Sequence, residues 1–390
     1  LIVLVLGGCG AQGRAAVYDL VRCPDVREVI CADARLDALR HIRDFVDMSK
    51  ITPVQIDAAD SGSLRQWFQR AHVAIDLLPR QFMRPACQMA IQTGTGMVNT
   101  NYPYAVADLD AAAREAGVAL MCACGLDPGI DLVLYAGARQ HFDELNVIDS
   151  CCGGFPEKAA CDNPLNYKVS WVFEGVLAAT KRDSRMLRDG KVIHIPAARQ
   201  HDPDCVHEVA FPGLGTLEAI PNGDAVFFAD QLGVRPTLRQ TGRYALRWPG
   251  WSAFWRPLKQ LGFLSEDPVA GLPCPVSPYQ MVEKLLGPRL QYRRDEKDLV
   301  AMLNFFEGRR GGRRIRRTNR MLIERDLKTG IMAMAQGVGY PASIAAQMLA
   351  GKEITETGVL SPLRHMPCAP FIGALRRRGV VVEEEETVLP

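Results

Sequence analysis

The residues best suited to chemistry stand near the start of the chain. In Gly7-Gly8-Cys9-Gly10-Ala11-Gln12-Gly13-Arg14, residues Gly8, Gly10 and Gly13 fit the spacing G-x-G-x-x-G. Asp33 follows about 20 positions after Gly13. In such a pattern the first glycine permits a tight turn and the second lets backbone amides approach a diphosphate. The third lets the following helix pack close to its strand. A helix opening at Ala11 and Gln12 turns its positive end toward the phosphates. A carboxylate at Asp33 accepts hydrogen bonds from an adenosine ribose and repels a 2′-phosphate, which makes NAD the expected cofactor. Arg35 can pair with a phosphate and keeps NADP open.

These residues need a sheet to position them. Short apolar runs over 1–6, 28–33, 51–57, 72–78, 96–100 and 118–124 alternate with helical patterns near 11–22, 35–46, 61–70, 82–94 and 105–116. That alternation predicts an α/β fold, a doubly wound parallel sheet of the Rossmann type. The opening apolar run leads directly into glycines, and reads as a buried strand and not as a signal peptide. Ligands bind at the carboxyl ends of such strands. Leu78 and Pro79 therefore fall beside the cofactor, and Tyr102 and Asp127 beside the nicotinamide or the substrate. The plainer alternatives are an edge aromatic for Tyr102 and an interdomain turn for Asp127-Pro128-Gly129.

From residue 126 to about 330 the pattern becomes mixed, with strands over Val147–Cys152, Thr237–Trp248, Leu299–Glu307 and Arg314–Arg325. It predicts an α+β substrate and dimerisation domain whose mixed sheet walls a cleft and carries the dimer contact. Arg243 and Arg247 are four apart, so a strand points both to one face, where they could grip a carboxylate; the bland reading is two surface arginines on an edge strand. Asp127, Tyr102 or Lys168 could serve as acid or base, and Cys152 could join them or simply pack. Arg309 through Arg320 hold seven arginines, but the central Gly311-Gly312 and the missing aromatics mark a hairpin tip and not a nucleic-acid surface. Residues 331–350 read as helix broken at Gly337–Pro341, and Val380–Val382 as a short strand. This tail is expected to return to the first domain, giving 1–125 with about 331–390 as one domain and 126–330 as the other.

Composition narrows the class. The chain has 390 residues, 48% hydrophobic and 23% charged, with net charge +2, so a polyanion is not the expected partner. No apolar stretch approaches ~20 residues, which argues against a membrane span. The 12 cysteines are scattered through apolar segments without a C-x-x-C pair, as in a cytoplasmic protein without a structural zinc. The densest possible metal cluster, His201 to Glu208, reads as a solvated polar segment, and no metal is expected.

From Gly125-Leu126-Asp127-Pro128-Gly129-Ile130-Asp131 onward the sequence resembles the saccharopine dehydrogenase family. Cys152-Gly153-Gly154-Phe155-Pro156, Asp162-Asn163-Pro164-Leu165-Asn166-Tyr167-Lys168-Val169-Ser170-Trp171 and Arg243-Tyr244-Ala245-Leu246-Arg247-Trp248 carry the likeness further. The resemblance implies hydride transfer between nicotinamide and an imine at the C–N bond of a lysine-derived amino acid, in a homodimer. It places Tyr102, Asp127 and Cys152 beside the reacting carbon, and makes Trp171, Asn222, Arg243 and Arg247 substrate contacts. Glutamate-forming saccharopine reductases are the most similar members, followed by lysine 6-dehydrogenases. An imine reductase for a polyamine precursor, or a catalytically silent NAD-binding sensor, is an alternative. One departure stands out: the family's arginine after Pro221-Asn222 is Gly223 here.

Overall fold

The computed structural model describes residues 1–390, the side chain of Ser61 excepted. It divides into two compact units, Leu1–Gly137 with Lys328–Val381, and Ala138–Leu327 with Val382–Pro390.

The first unit is built on parallel strands β1 (Ile2–Leu6), β2 (Glu28–Asp33), β3 (Ile51–Gln55), β4 (Val73–Asp76), β5 (Gly96–Asn99) and β6 (Ala119–Met121). A late strand, Gly358–Leu360, joins beside β6, and the spatial order is Gly358–Leu360, β6, β5, β4, β1, β2, β3. The order reverses between β1 and β4, the place where doubly wound sheets leave a crevice at their carboxyl edge. Every residue of β1 is buried, as a central parallel strand covered on both faces requires.

Two expectations for this unit need correction. Residues 35–46 do not form an α-helix; they hold a single 3-10 turn at Asp37–His41. Only Leu39 and Ile42 of this stretch are buried, too few for an amphipathic stripe. The segment after 331 is one unbroken helix, Ala333–Ala350, with Pro341 inside it. Packing outweighs the lost backbone hydrogen bond at Pro341. A Cβ on Gly339 would stand 2.6 Å from the Gln12 carbonyl oxygen and 2.8 Å from Ala15 Cβ, so this helix lies directly on the first helix, Ala11–Arg22. Ser343 Oγ donates to Asp19 Oδ2 at 2.6 Å, and Arg378 Nε donates to the other oxygen at 2.6 Å.

The second unit holds β7 (Glu144–Pro156), β8 (Ser184–Arg188), β9 (Lys191–Ile195), β10 (His207–Phe211), β11 (Gly215–Pro221), β12 (Gln240–Arg247), β13 (Asp298–Arg310) and β14 (Arg313–Glu324). They run in the order β10, β11, β12, β7, β13, β14, and β8 leads from β12 to β9. β12 and β7 are parallel, and their other partners are antiparallel, so the sheet is mixed. A core of Phe155, Tyr167, Tyr244, Leu246, Trp251, Trp255 and Leu303 packs within this unit.

The end of the chain also differs from expectation. Its strand is Val382–Val388, which pairs antiparallel with β14 in this second sheet and does not return to the first. The register sets Arg320 opposite Glu383 and Arg317 opposite Glu386, and ion pairs join Arg320 to Glu383 and Arg317 to Glu384. Arg316 pairs with Glu307 on the neighbouring strand. Arg316, Arg317 and Arg320 of this hairpin therefore face carboxylates of their own sheet.

Candidate functional site

In the first unit, the glycine loop joins β1 to the first helix. Gly7 turns with φ +73°, and its amide and that of Gly8 donate to the Ala32 carbonyl at 2.9 and 3.3 Å. Gly13 has no room for a side chain, since a Cβ would fall 2.1 Å from the Gly7 carbonyl oxygen. Gly10 is different: it is exposed, and a Cβ there would meet only the Gly7 oxygen, at 3.2 Å. Gly10 is also the N-cap of the first helix and offers no capping side chain, so the amides of the opening turn, from Ala11 through Gly13, are left for another acceptor. These features fit a diphosphate. The Asp33 carboxylate is fastened to the same loop, accepting from the Cys9 amide at 2.9 Å and from the Arg35 amide at 3.1 Å. Arg35 itself is exposed.

Three further loops meet at this carboxyl edge. Leu77 abuts Gly7, whose Cβ position lies 2.8 Å from the Leu77 carbonyl oxygen, which brings Leu78 and Pro79 beside the glycine loop. The Leu78 amide donates to Asp76 Oδ1 at 3.0 Å, while Asp76 Oδ2 is buried without a partner. Burial pushes the Asp76 carboxyl up to about 7. Tyr102 is half-buried and stacks on Tyr104 with ring centroids 5.4 Å apart. Asp127 is half-buried at the tip of a tight loop closed by the Gly125 amide on the Pro128 carbonyl at 3.0 Å. The loops of Tyr102 and Asp127 are neighbours, since Thr100 Cγ2 lies 3.4 Å from the Cβ position of Gly125.

In the second unit the sheet brings two of the expected residues to one face. Arg243 on β12 is opposite Ser150 on β7, and Cys152 stands two residues along β7 from Ser150, hence on the same side. Sequence reasoning missed the rest of this row. Ser150 is opposite Asn304 on β13, and Asn304 is opposite Asn319 on β14. Arg243, Ser150, Asn304 and Asn319 are 2%, 2%, 0% and 2% exposed. Neither polar atom of the Asn304 amide has a hydrogen-bond partner, nor does Asn319 Nδ2. Such atoms are costly to bury and are rare in folded proteins. The signal is invisible in the sequence because it exists only in the register of β7, β12 and the β13–β14 hairpin, three pieces far apart in the chain.

The remaining expected residues are distributed differently. Arg243 lies 4.5 Å over the Phe228 ring, whereas Arg247 lies 5.2 Å over Tyr167 and 5.1 Å over Trp251. The two guanidinium groups thus occupy separate aromatic seats and do not make one fork. The Asn222 amide donates to the Arg243 carbonyl at 2.8 Å, setting Asn222 beside Arg243. Trp171 is 40% exposed and covers Gly175, where a Cβ would be 2.4 Å from its ring. Lys168 is 2% exposed and reaches Glu296 at 2.7 Å and Asp162 at 3.0 Å. Burial alone would lower its ammonium, but the hydrogen bonds to Glu296 and Asp162 outweigh that and raise it. An ammonium held charged between two carboxylates is a strut, the opposite of a base. Gly223 takes φ +82°, a conformation strained for arginine, and Arg182 Cδ approaches its Cβ position at 3.9 Å.

Comparison with known proteins agrees with this architecture. Residues 3–121 match the saccharopine dehydrogenase NADP binding domain, and residues 125–380 match the saccharopine dehydrogenase C-terminal domain. The saccharopine dehydrogenase (NADP(+), L-glutamate-forming) of Pyricularia oryzae is 26% identical over 404 residues, covering 86% of this chain and 89% of the relative. The mitochondrial alpha-aminoadipic semialdehyde synthase of Mus musculus is 25% identical over 99% of this chain, which spans only 48% of that relative. The apo saccharopine dehydrogenase (L-Glu forming) from Saccharomyces cerevisiae shares the fold with TM-score 0.87 over 99% of both chains, at 23% identity.

Proposed function

As the chain belongs to the saccharopine dehydrogenase family, we propose that it is an NAD(P)-dependent oxidoreductase acting on the C–N bond of a lysine-derived amino acid. The observation that carries this reading is the open glycine loop with Asp33 fastened to it. Ala11, Gln12 and Gly13 would hold the diphosphate with backbone amides and the helix dipole, Gly8 and Gly10 shape the turn that lets it approach, and Leu78 and Pro79 flank it. When bound, the nicotinamide supplies or accepts the hydride. Tyr102 and Asp127, on neighbouring loops of the first unit, are the proposed groups for moving protons on the substrate nitrogen and on water; Cys152 is a candidate for that role by the family resemblance alone. Arg243, with Asn222 beside it, holds a substrate carboxylate, and the unpaired Asn304 amide on the same sheet offers one donor and one acceptor to an amino acid. Lys168 has no part in this chemistry, and Arg247 and Trp171 shape the site's surroundings.

Relatives named for NADP notwithstanding, Asp33 favours NAD, since a carboxylate at the end of β2 repels a 2′-phosphate. A cytoplasmic homodimer belongs to the same reading, the dimer supported by the family resemblance and the compartment by free cysteines, most of them buried. A lysine 6-dehydrogenase-like activity is the second reading. It is favoured by Gly223, which offers no guanidinium for the extra carboxylates of saccharopine. Nicotinamide absorbance decides between them. NAD reduction is followed with saccharopine and with lysine, and NADH oxidation with the cognate aldehyde plus glutamate. Turnover with saccharopine is the expected result; turnover with none, despite tight NADH binding, overturns the enzyme in favour of a nucleotide sensor.

A further inference from the structure

Two thiols meet beneath the glycine loop. Cys9 Sγ and Cys31 Sγ are 3.9 Å apart, with Cys9 5% exposed and Cys31 fully buried. The topology explains the encounter. Cys31 lies mid-strand in β2, between Val5 of β1 and Pro53 of β3. The chain leaves β1, turns at Gly7 and comes back over the end of β2, tied there by the two amides on Ala32. Gly8 then rests on the Cys31 thiol so closely that a Cβ would stand 2.6 Å from its sulfur. Cys9 is the next residue, and its amide is the one that donates to Asp33. The thiol pair and the dinucleotide contacts therefore share one short piece of backbone.

We propose that Cys9 and Cys31 are an oxidisable dithiol site, in which a hydroperoxide links them as a disulfide and so withdraws the glycine loop from dinucleotide binding. The Cys9 thiolate attacks one oxygen of the hydroperoxide. An S–O bond forms, the O–O bond breaks, and the leaving alkoxide or hydroxide takes up a proton. The Cys31 sulfur then attacks the sulfenic sulfur of Cys9, giving the S–S bond and releasing water with the Cys31 proton. The two sulfurs supply two electrons, and the peroxide is reduced to water plus alcohol, or to two waters. Cys9 is the attacking group because it is the less buried of the two and lies on the loop and not within a strand. A hydrogen bond from Cys31 also draws its thiol below the usual range, against burial and the Asp33 charge and with help from Arg14, while the same hydrogen bond pushes Cys31 up.

A disulfide requires the sulfurs to close to about 2.05 Å. Cys31 is fixed by strands on both sides, so the loop is what moves. Pulling Cys9 inward takes its amide from Asp33 and shifts the adjoining turn, Ala11–Gly13, whose amides are left for the diphosphate. Conversely, a bound dinucleotide pins the loop and slows the reaction. In a reducing compartment such a bond is transient, as a regulatory disulfide must be.

The loss of binding rests on the dinucleotide reading; the cross-link itself does not. The test treats the full-length protein with hydrogen peroxide, alkylates it and maps disulfides in non-reduced peptides, alongside calorimetry with NADH. The expected result is a Cys9–Cys31 linked peptide and at least tenfold weaker NADH binding, both reversed by dithiothreitol and slowed by prior NADH. Cys31→Ala should bind NADH normally and keep that affinity after peroxide; if this variant does not fold, dithiothreitol reversal in the wild type decides the same point. Oxidation of other cysteines without a Cys9–Cys31 link overturns the site, and a link that leaves NADH affinity unchanged overturns the switch. Reduced protein that binds neither NADH nor NADPH refutes the dinucleotide reading instead, and the peptide map still decides the dithiol.

Discussion

Cys9 and Asp33 are joined by a hydrogen bond of 2.9 Å, from the amide of the glycine loop to the carboxylate that ends β2. The side chain expected to select the cofactor is thus built into the loop expected to hold it. Substituting Asp33→Ser removes the charge and this contact together. NADPH should gain on NADH by roughly tenfold or more in kcat/KM, with about 1 kcal/mol lost in stability. Steady-state kinetics with both nucleotides checks the ratio; an unchanged preference would show that Asp33 does not face the ribose.

Asn304 gives a prediction in which stability and function separate. Its amide is fully buried and has no partner at either polar atom. Replacing an unsatisfied buried amide with an apolar group of similar size is neutral or stabilising. Asn304→Leu should keep or raise the urea midpoint, raise KM for the amino acid about tenfold, and leave KM for the nucleotide alone. A loss of stability with unchanged KM would make Asn304 structural.

Lys168 tests the reverse case. Removing one partner of a buried ion pair leaves a charge uncompensated. Lys168→Met should cost on the order of 3 kcal/mol, while the pH profile of kcat keeps its shape. The Glu296 carboxyl would be raised by burial, but Lys168 and the Arg293 amide bring it below its ordinary 4.5. Its contribution is present above that value and lost as pH falls through the depressed one. The raised Lys168 contributes fully below its ordinary 10.5 and is lost as pH rises through the higher value. Chemical denaturation across pH should therefore show the wild-type advantage over Lys168→Met on a plateau between those limits. A kcat profile that loses a limb would restore Lys168 to the chemistry.

Asp76 carries a penalty that depends on pH. Burial holds its carboxyl at about 7 in the folded protein, against 3.8 when unfolded. Between these values the unfolded chain releases a proton that the folded one keeps, so stability falls as pH rises, and the full penalty applies above the folded value. Asp76→Asn should accordingly stabilise the protein more at pH ~8 than at pH ~5. Urea midpoints at the two pH values measure this; equal effects would show that Asp76 is ionised throughout.

The glycine loop, its flanking strand and helix, and Asp33 are legible in the sequence because each rests on neighbours close along the chain. The stretch 35–46 misleads because scattered charges and a few apolar residues imitate helical periodicity without supplying a face to bury. Lys168 resembles a candidate base in sequence because its partner Glu296 is 128 positions away. The row from Arg243 to Asn319 depends on the register of β7, β12 and β13, which long intervening segments separate; only the Asn304–Asn319 pair lies within one hairpin, and no local pattern reveals its neighbours. The tail is expected to return to the first domain, and it does so only as far as Val381; the strand after it joins the second sheet, which is not legible because its partners on β14 are distant in sequence.

The close seat of Gly339 on the first helix has a consequence for biosynthesis. The unit that begins at residue 1 resumes only at Lys328, after the whole interior of the second unit has been translated. On the ribosome, the opening sheet must wait with the Gln12 and Ala15 side of its first helix uncovered until the segment carrying Gly339 emerges. A nascent chain stalled before that point should be prey to chaperones and proteases, even though Ala138–Leu327, nearly all of the second unit, has by then been translated.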